Sequence, residues 1–139
     1  MTTSELIESY CVMVNGGSGV LVSAMSQEYS YVLTAKHVIE GNTTDHVIKD
    51  NNGKTLRILD IFFHPDASHQ ENYDCCVIQI ERVPIMQQQV FLADSLPYKA
   101  DITLVGFPNT ERESTTPIKH YNGHMTNVSS GLIICSLEG

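Results

Sequence analysis

Residues 16–41 read GGSGVLVSAMSQEYSYVLTAKHVIEG, and the reading of this stretch decides that of the rest of the chain. Gly16, Gly17 and Gly19 bracket Ser18, which suits a strand entry where two backbones approach closely. The β-branched and aromatic runs on either side of Ser26 predict a pair of strands. His37 then falls where the second strand stops, ahead of a segment, AKHVIEG, with room for about one helical turn closed by Gly41. A histidine alone at a strand end is more often a surface or hydrogen-bonded residue than a catalyst. The same position also lets an imidazole project into a groove while its backbone stays fixed.

The wider chain supplies the setting. Its 139 residues fit one domain of common size with a core of its own. Eight basic against 16 acidic residues give a formal charge of −8 without any run of Lys or Arg, so nucleic acid and anionic membrane are poor partners. The opening, MTTSELIESYCVMVNGG, has neither a basic n-region nor a long apolar stretch, and a cytoplasmic chain is expected. Cysteines stand at 11, 75, 76 and 135, in no disulfide framework and no paired metal-ligand spacing. Reduced thiols buried as small hydrophobes are expected, with Cys75 and Cys76 on opposite faces if they lie in a strand.

Short β-rich segments recur about every ten residues, at 10–15, 18–25, 29–35, 45–50, 56–64, 74–80, 101–107 and 131–137. That spacing predicts an antiparallel barrel or sandwich. DNNGKT at 50–55 predicts a hairpin, because Asn and Gly tolerate positive φ. Helix signals are confined to TTSELIES at 2–9, with a Thr or Ser cap, and to the turn around His37. ADSLPYKAD at 93–101 forms a seam, giving residues 1–95 as a first barrel and 96–139 as linker and the beginning of a second unit. IMQQQVFLADS, from residue 85, is expected to pack as the linker between them, with Met25 and Met86 as core fillers.

HPDASHQENYDCCVIQIE places Asp74 at the first position of a strongly apolar strand. Capping of the turn ENYD would account for the acid by itself. Alternatively, its carboxylate accepts from the Nδ1–H of His37, fixing the tautomer and leaving Nε2 as a general base.

GSGVLVS, YVLTAKHVI and YDCCVIQI resemble the glycine-rich strand, the histidine segment and the aspartate strand of trypsin-like serine proteases, in that order. His37 and Asp74 are 37 residues apart, a family-like spacing, and ITLVGFPN at 102–109 resembles the strand that opens the family's second barrel. The resemblance implies an all-β double β-barrel, with the first barrel present and the second incomplete. It implies peptide-bond hydrolysis by a Ser-His-Asp triad, with His37 and Asp74 as its catalytic pair and no cofactor or metal. Val38 stands where secreted animal relatives usually carry a disulfide cysteine, and no Ile-Val-Gly-Gly activation sequence appears, so the nearest match is the bacterial, HtrA-type intracellular branch.

The triad's serine is missing from its expected surroundings. Such enzymes carry it in a Gly-x-Ser-Gly turn whose backbone N–H groups form the oxyanion hole. After Asp74 the serines are 95, 114, 129, 130 and 136, and none has glycine on both sides. TNVSSGLIICS, holding Ser129 and Ser130, reads as two strands joined by a turn. Cys135 lies in an apolar run, and Cys75 and Cys76 adjoin Asp74 in the wrong segment. The expectation is a protease piece whose serine and remaining second-barrel strands lie beyond Gly139. A pseudoprotease that binds a peptide or protein without cutting it, and a generic β-barrel adaptor with chance motifs, are the alternatives.

His64, with or without His69, reads as a loop-edge residue rather than a metal ligand. KHYNGHM carries His120 and His124 around Asn-Gly, so a hairpin is predicted there with both histidines on the surface.

Overall fold

Strict alternation along Cys76–Glu81 (β7 below) buries Cys76, Ile78 and Ile80 and leaves the residues between them half-exposed. A strand with one wet face must lay its apolar face on something, and here that is the inside of a curled sheet. The computed structural model of the chain describes residues 2–22, 28–40, 46–65, 74–84, 99–107, 118–129 and 132–138. Within them the elements are α1 (Thr3–Ser9), β1 (Cys11–Val14), β2 (Gly17–Val22), β3 (Tyr29–Thr34), α2 (Lys36–Glu40), β4 (Ile48–Lys49), β5 (Thr55–Leu56), β6 (Ile58–Phe63), β7 (Cys76–Glu81), β8 (Asp101–Gly106), β9 (Lys119–Ser129) and β10 (Leu132–Glu138).

The first sheet has the order β5-β4-β1-β2-β3-β7-β6, every pairing antiparallel. Its two edge strands, β5 and β6, are consecutive in sequence and separated by Arg57 alone. They are two arms of one bent strand, which pairs with β4 on one side and β7 on the other. The sheet therefore closes on itself, and a closed sheet has no long edge to offer another chain. Its interior is filled by Val12, Val14, Leu21, Val32, Ile48, Leu56, Cys76, Ile78 and Ile80, with Tyr10 and Ile39 at the ends. Each such aliphatic side chain contributes roughly 1.5–3 kcal/mol on burial.

Two expected devices hold. Thr2 caps α1, its Oγ1 accepting from Glu5 N at 3.1 Å. Asp50 closes the β4–β5 hairpin, its Oδ1 accepting from Asn52 N and Lys54 N, each at 2.9 Å. The close backbone approach expected of the glycine-rich strand is met at Gly19. A Cβ there would stand 2.7 Å from Val32 Cγ1, 2.9 Å from Val14 Cγ2 and 3.2 Å from the carbonyl oxygen of Leu33.

The second sheet has the order β10-β9-β8 and is joined to the first by polar contacts. Ser18 Oγ accepts from Phe107 N at 2.7 Å and donates to Phe107 O at 3.1 Å. His120 Nε2 meets Glu8 Oε1 of α1 at 2.8 Å. The fold is all-β, a closed first barrel followed by three strands of a second. The proposed boundary at 95/96, the linker from residue 85, Met25, Met86 and Gly41 lie outside the described residues.

One expectation is overturned. Asn122 and Gly123 form no hairpin, because β9 runs unbroken through them as the middle strand of its sheet. Asn122 pairs with Thr103 on one side and Glu138 on the other, and Gly123 with Ile102 and Leu137. Two ladders supply what a local turn signal cannot. Ser129 at the end of β9 pairs with Leu132 at the start of β10, and residues 130 and 131, where the sequence predicts the turn, lie outside the described residues.

Gly19→Ala should destabilise the protein by roughly 1–3 kcal/mol through overpacking against Val14 and Val32. Urea unfolding followed by circular dichroism measures it, and a midpoint equal to the parent's would contradict the close approach.

Candidate functional site

The site is built where β3 ends and β7 begins. The two strands are antiparallel neighbours with Thr34 opposite Cys76. The chain leaving β3 and the chain entering β7 thus emerge side by side, and His37 and Asp74 lie just beyond this last pair. Thr34 Oγ1 donates to Ser18 O at 2.9 Å, pinning the end of β3 to the glycine-rich strand.

Asp74 does two things with its carboxylate. Its Oδ2 is hydrogen-bonded to His37 Nδ1, and its Oδ1 accepts from the backbone N–H of His37 at 2.9 Å. The first turn of a helix carries N–H groups without intrahelical partners, and here an acid 37 residues away, just ahead of β7, accepts from one of them. The bond from the His37 ring, reinforced by backbone N–H groups of His37 and Lys36, holds the Asp74 carboxyl below its ordinary value against the opposing effect of desolvation. The turn ENYD that Asp74 might have capped includes residues 71–73, outside the described residues.

With Nδ1 engaged, the imidazole carries its second nitrogen, Nε2, on the far side of the ring. The His37 side chain is 73% exposed, so that nitrogen is open to a reacting group. A carboxylate–imidazole pair in this arrangement can accept a proton at Nε2 and stabilise the imidazolium that results.

Sequence reasoning missed Lys36. Its side chain is only 13% exposed, pairs with Glu40 Oε1 at 3.0 Å, and lies over the Phe63 ring with Nζ 5.8 Å from the centroid. It thereby ties α2 to β6. The i, i+4 spacing of Lys36 and Glu40 could have been read from the sequence; the meeting with Phe63 could not, since it depends on how β6 lies against β7.

The other candidates are placed elsewhere. Cys76 faces the core, and burial, followed by the neighbouring Cys75, pushes its thiol up to about 11. Cys75, just ahead of β7, is half-buried. His64 follows the end of β6, its N–H donating to Cys75 O at 3.5 Å. His120 is half-buried and paired with Glu8, a correction to the surface role expected of it; in a continuous strand it shares a face with His124, which is exposed. Ser129 ends β9 and Cys135 lies in β10, and their side chains, like Ser95, Ser114, Ser130 and His69, are outside what is described. Among the described residues no three metal-ligating side chains gather, and no helix is long and apolar enough to cross a membrane.

Between α1, the first barrel and β8 runs a cleft of about 420 Å³, mainly apolar, lined by Ile7, Tyr10, Val20, Leu33 and Leu104 among others. His37 and Asp74 are not part of its lining.

The family Trypsin matches residues 4–138 of the sequence. Among solved structures, a kallikrein-related peptidase 10 in complex with Zn2+ superposes with a TM-score of 0.63 at 18% identity, covering 96% of this chain and 70% of that one. A second structure of kallikrein-related peptidase 10 gives a TM-score of 0.68 at 14% identity, with the same coverages. At such identities the likeness is one of fold. No curated protein sequence gives a significant match.

Because the Asp74 carboxyl is held below its unfolded value, its stabilising contribution is complete above the ordinary value of 3.8 and is lost as pH falls through the lower folded value. Urea unfolding at pH 7 and pH 3 should show this acid limb reduced in Asp74→Asn; an identical limb in parent and variant would refute it. Thiol alkylation at neutral pH should modify Cys75 well before Cys76 in the folded protein, and equal rates would contradict the burial of Cys76.

Proposed function

The chain belongs to the trypsin family, and from that premise we propose that it carries the His-Asp half of a serine endopeptidase triad. His37 is the general base and Asp74 its orienting acid. The observation that supports this reading is the double engagement of one carboxylate with both the ring Nδ1 and the backbone N–H of the same histidine. Nδ1 is thereby kept as the protonated nitrogen, and Nε2 keeps a lone pair. As a serine oxygen attacks the scissile carbonyl carbon, Nε2 takes the hydroxyl proton, and Asp74 stabilises the imidazolium. The same proton then passes to the departing amine.

The nucleophile is assigned to sequence outside residues 1–139, since no serine after Asp74 stands between glycines. The kallikrein-related structures extend over a further 30% of their length beyond the part this chain covers, which leaves room for the rest of a second barrel. Residues 1–95 are read as the first barrel and 96–139 as the linker and first strands of the second, to be completed by a C-terminal segment. A polypeptide is the substrate. Val38, after His37, packs its methyls against Gly17 and so fills by apolar contact a place where secreted relatives use a disulfide cysteine. This supports the bacterial, HtrA-type intracellular branch and a cytoplasmic location.

The test is made on the protein expressed from its native locus. Intact mass should exceed that of 139 residues, and an active-site-directed fluorophosphonate should label a serine downstream of Gly139. Asp74→Asn should lower kcat by roughly four powers of ten and His37→Ala by roughly six. A native mass matching 139 residues with no associated fragment would favour the pseudoprotease, binding a peptide or protein partner without cleavage.

A further inference from the structure

We propose that Asn15, at the tip of the β1–β2 hairpin, is a positioning residue for His37 that acts through the carbonyl group of Val38. The inference rests on the reading of His37 as general base and adds to it a second hold on the segment that carries the histidine.

Val14 pairs with Gly17, so Asn15 and Gly16 are the whole turn, and Asn15 adopts φ +53°. Asparagine tolerates this left-handed region better than most residues. The residue is fixed there by two bonds to one partner: its N–H donates to Val47 O at 2.8 Å, and its Oδ1 accepts from Val47 N at 3.0 Å. A backbone N–H can only donate, so the side-chain oxygen faces Val47 and the orientation of the amide follows from the network. Nδ2 then has two hydrogens to place. It donates to Val38 O at 3.1 Å and lies 3.3 Å from His46 Nδ1. The second contact is a hydrogen bond when His46 Nδ1 is unprotonated and its ring proton sits on Nε2.

Every polar atom of this side chain is engaged, and the amide is a rigid bracket rather than a loose contact. What it grips matters. α2 has five residues, too short to hold its own geometry, and no amide within it can serve the Val38 carbonyl. Asp74 holds the N–H of His37 and Asn15 holds the C=O of the next residue, so the histidine is fixed from both sides. Gly17 permits the approach, since even a Cβ there would stand 3.1 Å from Val38 Cγ2. A shift of α2 by about 1 Å would misdirect both ring nitrogens, and displacements of that size cost around 10²-fold in rate.

Two variants separate positioning from general stability. Asn15→Gly keeps the positive φ and deletes the amide; Asn15→Asp keeps the acceptor for Val47 and replaces both donors with an acceptor. In the 139-residue chain labelled with ¹⁵N-histidine, the resonance of the proton shared between His37 Nδ1 and Asp74 is followed together with hydrogen exchange of backbone amides. Both variants should weaken or shift that resonance and speed exchange of the His37 amide about tenfold, the effect of one net hydrogen bond. Exchange at Val12, Val32 and Ile78 should stay at the parent rate. In the complete protease kcat should fall about 10–100-fold at unchanged KM. Parent-like His37 signals in both variants, or equal acceleration at the core amides, would overturn the proposal. The magnetic resonance measurement needs no cleavage, whereas a protease that keeps its activity in His37→Ala would refute the general-base reading itself, so the two failures are told apart.

Discussion

The register of β3 against β7 is the constraint on which the site depends. Thr34 stands opposite Cys76, and the ladder runs from there to Tyr29 opposite Glu81 without interruption. Six consecutive pairs fix where the two strand ends lie relative to each other. A slip of one residue would exchange the faces of every side chain in β7, sending Cys76, Ile78 and Ile80 to solvent. The core therefore enforces the register, and the register brings Asp74 to the amino end of α2. The His37–Asp74 contact is a local consequence of burying three apolar side chains in a neighbouring strand.

The rest of the first barrel closes around that pair. The strand bent at Arg57 serves both edges, and Glu81 N donates to Arg57 O at 3.0 Å at the corner. The same bend carries β6 alongside β7, where Phe63 meets the Lys36 side chain. α2, five residues long, is thus held by an acid just ahead of β7, a ring from β6 and an amide from the β1–β2 turn. A segment with negligible stability of its own acquires a defined position because several independent strands each contribute one contact.

The joint between the two sheets is polar where the barrel interior is not. Ser18 exchanges two hydrogen bonds with the backbone of Phe107 across it, and within the first barrel Ser30 does the same with Val83, at 2.9 Å and 3.4 Å. A serine hydroxyl that both gives and accepts can join a strand to a passing backbone without leaving an orphaned group. Beside this joint Val20, Leu33 and Leu104 are exposed and line the apolar cleft between α1, the first barrel and β8.

Much of this is written in local sequence. The all-β class follows from the spacing of β-branched runs, the β4–β5 hairpin from Asp50 and its Asn-Asn-Gly, the helix α1 from its Thr cap, and the candidate pair from the order of three motifs around His37 and Asp74. These are legible because period, capping and turn chemistry act within a few residues. Tertiary structure decided the remainder. Asn122-Gly123 carries the same turn signal as the hairpin at 50–55, yet lies inside β9 because strands on both sides satisfy its backbone. Whether Asp74 caps its own turn or reaches His37, whether His120 is free or meets Glu8, and what Asn15 grips all depend on partners 23 to 112 residues away, which sequence period cannot register. Only the closure of the sheet sets those distances.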